Sequence, residues 1–141
     1  MIRLAHFFFY TYVGLVILAG FWGAFVNPAW DMKVMFSVDL GQLSPDSAIN
    51  LMSQYRFLRA LELGFGIVSI LFVGRIFSEE SYWRLFLLVM GLGVLARVFS
   101  WFFDGNPNLL TKFFLFYEAI GWLIIWKAGL NKIQKTASDG N

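Results

Sequence analysis

Hydrophobic positions fall into four long blocks, separated by short polar interruptions. The first runs from Leu4 to Val26 and carries no charge other than the one His6 can take up. About 20 apolar residues suffice to cross a bilayer, so this block predicts a spanning helix. Arg3 ahead of the block also fits a secretory signal, but the run is too long for a signal core and Val26 is a poor residue before a cleavage site. The block therefore reads as a retained helix. Asn27 to Leu43 form a connector with Asn-Pro, scattered Asp and Lys, and a Gly41-Gln42 turn signal, with room for a short interfacial segment around Met32 to Leu40. Ser44-Pro45-Asp46 then reads as a helix start, with a serine cap, proline in the first turn and an acid near the positive helix end. That start precedes the second apolar block, Phe57 to Phe77, by about 12 residues, so the second helix begins outside the bilayer core. The link Ser78-Glu79-Glu80-Ser81 leads into the third block, Tyr82 to Phe103, and Asp104-Gly105-Asn106-Pro107-Asn108 is a strong turn before the fourth, Leu109 to Leu130.

The pattern predicts an all-α integral membrane four-helix bundle in one domain, with spans at about 4–26, 57–77, 82–103 and 109–130 and a polar tail at 131–141. Composition supports it: 59% of the residues are hydrophobic and 14% charged, with 17 Phe and 6 Trp. A soluble domain of 141 residues has too little interior to hide that much apolar surface. Lys and Arg beside the spans set the orientation. Arg3, Arg75, Arg84, Lys127, Lys132 and Lys135 fall on one side, whereas the first connector carries Lys33 against Asp31, Asp39 and Asp46 and the last carries Lys112. Both termini are expected in the cytoplasm, with the chain multi-pass in the inner (cytoplasmic) membrane.

The absence of cysteine excludes disulfides, thiolate metal sites and thiol relays. A single histidine leaves no ligand cluster for zinc or haem, so no metal and no cofactor is expected. The net charge of +2 is not a nucleic-acid signature, because the basic residues are scattered and several are embedded. No phosphate loop, nucleophile elbow or metal-binding histidine pair is present. Glycine pairs Gly64/Gly66 and Gly91/Gly93 read as close helix contacts.

What remains is six ionisable residues within or at the ends of the apolar blocks: Arg56, Arg59, Glu62, Arg97, Asp104 and Glu118. Charge at membrane depth is costly and is kept for pairing or for function. Arg56, Arg59 and Glu62 recur every third residue and share a stripe. Gly93, Arg97, Ser100 and Asp104 follow helical spacing and make a polar seam. Arg97 lies about 9 Å below the end of its span and Glu118 about 8 Å below the end of the next, which brings Glu62, Arg97 and Glu118 to one level in the outer half. The charges sum to zero, as a mutually paired network requires. A structural clamp explains such a set as well as a site does. Arginines at a helix end also snorkel to headgroups, and Asp104 suits a turn.

The run Tyr55-Arg56-Phe57-Leu58-Arg59 leading to Gly64, then Arg97-Val98-Phe99-Ser100, Asp104-Gly105-Asn106-Pro107 and Glu118 resembles an uncharacterised bacterial four-span membrane protein family, a domain of unknown function. The resemblance runs through nearly the whole chain and implies the four-helix fold but no activity. More distantly the chain is similar to DoxX-type four-helix membrane proteins.

Three function classes stay open. The leading one is a non-catalytic bundle binding a lipid-like or anionic small molecule in an outer-half pocket at Arg56, Arg59, Glu62, Arg97, Ser100 and Glu118, or assisting a membrane protein partner or a second copy of itself, with membrane lipids around it. Arginine forks grip phosphate or carboxylate heads. The second is a membrane enzyme acting on a lipid or isoprenoid, with Glu118 or Asp104 as acid–base. The third is a proton-linked transporter, disfavoured by the uncharged stretches 63–74 and 85–96.

Overall fold

In the computed structural model the backbone of residues 1–139 and the side chains of residues 1–131 are described. Among these the chain is all-α: α1 (Ile2–Phe21), α2 (Pro28–Phe36), α3 (Pro45–Leu71), α4 (Val73–Ile76), α5 (Glu80–Phe103) and α6 (Leu109–Asp139). A π-helical turn, Trp22–Val26, follows α1, and a 3₁₀ turn, Leu40–Gln42, precedes α3.

Local chemistry sets the ends. Asn27 caps α2, its side chain accepting from the Trp30 N–H at 3.0 Å, with Pro28 in the first turn. The expected start at Ser44-Pro45-Asp46 is where α3 begins, and Ser44 Oγ accepts from the Ser47 N–H at 3.3 Å. Asn108 Oδ1 accepts from the Thr111 N–H at 2.8 Å and opens α6. Between α5 and α6 the chain turns through Gly105 at φ 118°, a conformation side chains resist. Helix α6 does not stop at Leu130 but continues into the polar tail as far as Asp139; residues 140 and 141 lie outside the described residues.

Three segments are long and apolar enough to cross a membrane: Ile2–Val26, Glu80–Phe103 and Leu109–Asn131. Only 17% to 22% of their most apolar stretches is buried by the protein. Phe102, Phe103, Leu109 and Leu18 are among the side chains left open. So much uncovered apolar surface requires a lipid surround, and the protein is a multi-pass membrane protein. The expected second span is not among the three. Arg56, Arg59 and Glu62 interrupt the apolar part of α3, and the chain breaks at Phe72 before α4.

The chain forms two compact units. The first comprises Met1–Tyr12 and Ser69–Asn141, the second Val13–Val68. In the first, Phe9, Phe86, Met90 and Ile125 are buried, with the Phe9 and Phe86 rings 5.0 Å apart. Two indoles tie α5 to α6: Trp83 Nε1 donates to the Ile125 carbonyl at 3.2 Å and Trp122 Nε1 to the Leu87 carbonyl at 2.8 Å. Each accepting carbonyl lies one helical turn before a glycine, Gly129 or Gly91. A Cβ on Gly129 would lie 2.2 Å from the Trp83 ring, and one on Gly91 would lie 2.9 Å from Trp122 Nε1. The glycines make room for the indoles to reach backbone already bonded within its own helix. In the second unit α1 and α3 cross at Gly20, where a Cβ would meet the Leu63 backbone nitrogen at 2.7 Å.

Candidate functional site

The second unit buries an ionic network. Proline at position 28 has no N–H for the Ala24 carbonyl that an uninterrupted helix would pair with it. Arg56 Nη1 donates to that carbonyl instead, so this arginine closes the end of the π-turn. One turn along α3, Arg59 is buried, and its Nε lies 3.0 Å from Asp31 Oδ2. Its Nη1 donates to Glu62 Oε2 at 2.6 Å. Tyr55 completes the group: its hydroxyl donates to Asp31 Oδ2 at 2.6 Å and accepts from Arg59 Nε at 2.8 Å. Burial, and then the bond to Asp31, push the Tyr55 phenol above its ordinary range, against the opposing pull of Arg59. Gly23 has to stay bare, since a Cβ there would lie 2.6 Å from both Arg59 Cγ and Asp31 Oδ2.

Asp31 and Tyr55 were not among the expected site residues. The signal for Asp31 was present: Asn27-Pro28 with an acid three residues on is a helix start, which the connector reading treated as a break. Nothing in the spacing marks the acid itself as buried, because α2 turns it inward. Tyr55 precedes Arg59 by four residues, on the same face of α3.

The first unit holds the other network. Arg97 on α5 meets Glu118 on α6, with Nε 3.1 Å from Oε2 and Nη2 donating to Oε1 at 3.4 Å. This is the forked geometry that suits guanidinium to carboxylate. The carboxylate is largely enclosed at 12% exposure, whereas 34% of the Arg97 side chain is open. The hydrogen bond to Oε1 uses one of the five N–H donors an arginine carries. On the same two helices, an open apolar groove of about 510 Å³ is lined by Val94, Val98, Trp101 and Phe102 of α5 and Leu115, Phe116 and Ala119 of α6; neither Arg97 nor Glu118 lines it. Val94 and Val98 bracket Arg97 in sequence, and Leu115 and Ala119 bracket Glu118.

Thus of the expected residues Arg56, Arg59 and Glu62 belong to the second unit and Arg97, Ser100, Asp104 and Glu118 to the first. Ion pairing occurs inside each unit, Arg59 with Asp31 and Glu62, and Arg97 with Glu118. Ser100 and Asp104 are exposed, and the Asp104 N–H closes α5 on the Ser100 carbonyl at 2.8 Å. His6 is used structurally: its ring stacks on Phe77 at 3.9 Å and its Nδ1 meets the Ile2 carbonyl at 2.9 Å. Among the described residues no group of three His, Cys, Asp or Glu could hold a metal ion.

A family model described as a domain of unknown function (DUF4345) matches residues 5–128. No curated protein and no solved structure matches the chain.

Proposed function

The chain belongs to the DUF4345 family, a domain of unknown function, and from that premise we propose that it is a cytoplasmic-membrane protein that binds an anionic, lipid-like molecule between α5 and α6. On this reading the lower part of α3 together with α4 is a fourth crossing, paired charge making its polar stripe tolerable, and both termini face the cytoplasm. Arg97 then sits in the outer half of the bilayer, about 9 Å below the end of α5.

The observation that carries the reading is the partly exposed Arg97 guanidinium, paired with Glu118, on the same two helices as the apolar groove. A phosphate or carboxylate head takes the remaining guanidinium donors while its tail lies along Val94, Val98, Leu115 and Phe116. Glu118 orients the guanidinium, and Ser100, one turn farther along α5, offers a hydroxyl to the head. Arg56, Arg59 and Glu62 act as a brace, because Arg59 is buried and already committed to two carboxylates. An acid–base role for Glu118 fits less well, since its carboxylate is already paired with Arg97, Oε1 accepting from Nη2 and Oε2 lying 3.1 Å from Nε.

Mass spectrometry of lipids retained by protein purified in a mild detergent tests the proposal. An anionic amphiphile is expected at near-stoichiometric amount on the natural protein and lost from Arg97→Ala, with membrane assembly unchanged. A natural protein that retains no such molecule overturns it.

A further inference from the structure

Helix α2 is built inside out for a helix in water. Its acid, Asp31, faces inward and is buried beside Met32, while Trp30, Val34 and Phe36 are 53%, 46% and 47% exposed. A surface helix in water shows the reverse arrangement, with apolar residues on the core face. The inversion is held by specific bonds, since Asp31 reaches both Arg59 Nε and the Tyr55 hydroxyl. The cap at Asn27 and the left-handed Ser37 at φ 58° delimit the helix at nine residues. At about 1.5 Å per residue it is far too short to span a bilayer.

Its surroundings identify what covers the apolar face. The helix begins two residues after Val26, where the first membrane-spanning segment ends. The π-turn and Pro28 redirect the chain at that point. Trp22 and Trp30, both exposed, meet edge to face with centroids 5.8 Å apart. Tryptophans at the end of a span mark the headgroup level, where amphipathic rings are most at ease. Lys33 is exposed on the same helix, with a stem long enough to reach lipid phosphate.

We propose that α2 is an interfacial helix, lying in the leaflet that receives the end of α1, with Trp30 and Val34 in the acyl boundary and Asp31 bolted to Arg59. Its partner is the lipid surface itself. The Asp31–Arg59–Tyr55 bonds become an anchor that fixes the depth and rotation of a membrane-surface helix, a role independent of any ligand at Arg97. Interfacial helices bury their apolar face about 5–10 Å into this boundary.

The chain has no cysteine, so single cysteines can report depth without background. Trp30→Cys, Val34→Cys and, in the exposed 3₁₀ turn, Gln42→Cys would each be spin-labelled in full-length protein in phosphatidylcholine vesicles. Collisions with oxygen, which concentrates in the bilayer, are then compared with those of a water-soluble nickel chelate. Labels at 30 and 34 are expected to favour oxygen over the chelate severalfold more than the label at 42. Val34→Cys keeps the test valid if loss of the Trp22–Trp30 contact disturbs the helix. Labels at 30 and 34 as open to the chelate as that at 42 would overturn the proposal. So would labels shielded from both reagents, which would place protein, such as a second copy, over this face.

Discussion

Replacing Asp31 with Asn removes one of the two carboxylates that hold Arg59, yet leaves an oxygen to accept from the Tyr55 hydroxyl. The side chains of Arg59 and Asp31 are 8% and 9% exposed, which places the pair in the buried class. Removing one member of a buried pair costs about 3–5 kcal/mol when the survivor is left alone. Arg59 is not left alone, because Glu62 remains at 2.6 Å, but the Glu62 side chain is 42% exposed and its attraction is screened. A loss of about 2–3 kcal/mol is therefore expected for Asp31→Asn. Arg59→Met is expected to cost a similar amount, about 2–3 kcal/mol, by stranding Asp31. In the double variant neither charge is stranded, so the combined loss should fall short of the sum by about 2 kcal/mol. Equilibrium unfolding in mixed micelles, on the four proteins of the cycle, measures this directly. A coupling below about 0.5 kcal/mol, the range of exposed pairs, would refute the buried network.

Three further outcomes follow from the geometry. Tyr55 should ionise above the ordinary tyrosine range as pH rises, read from tyrosinate absorbance, and Asp31→Asn should bring it down. Because its phenol is raised in the folded state, its contribution to stability is complete below about pH 10 and is lost only as pH climbs through the raised value. Gly129→Ala, whose new Cβ would lie 2.2 Å from the Trp83 ring, should destabilise by about 1–3 kcal/mol in the same unfolding assay, with Trp83→Phe relieving part of it. Trp122→Phe should cost about 0.5–1.5 kcal/mol by removing the bond to the Leu87 carbonyl.

The spans were legible because a bilayer imposes length and apolarity together, and the turn at Asp104 to Asn108 because glycine and proline punctuate it. The α3 start was equally plain from Ser44 and Pro45. The expected second span is not among the three long apolar segments, because Arg59 and Glu62 cut its apolar stretch and the helix ends at Leu71 before the break at Phe72. The Arg97–Glu118 pair followed from matching depths on neighbouring helices. Asp31 escaped because its role depends on the rotation of α2, fixed by the π-turn and by Pro28, and one-dimensional spacing carries no trace of that rotation. The Trp–Gly pairings across α5 and α6 were hidden for the same reason. Gly91 was visible as a close-contact residue, but the indole that fills its space lies on another helix.

Trp101 lines the groove between α5 and α6 and would report a ligand bound there. Titrating the vesicle-embedded protein with a brominated single-tail alkyl phosphate should give saturable quenching, whose amplitude Trp101→Phe removes. A brominated alcohol with the same tail should bind about tenfold or more weakly, because a charge-assisted hydrogen bond is worth about 1.5–3 kcal/mol. Arg97→Gln should weaken the phosphate by a similar factor. Equal, non-saturating quenching by both amphiphiles, unchanged by Arg97→Gln, would mean simple partitioning into lipid and would contradict a binding site between α5 and α6.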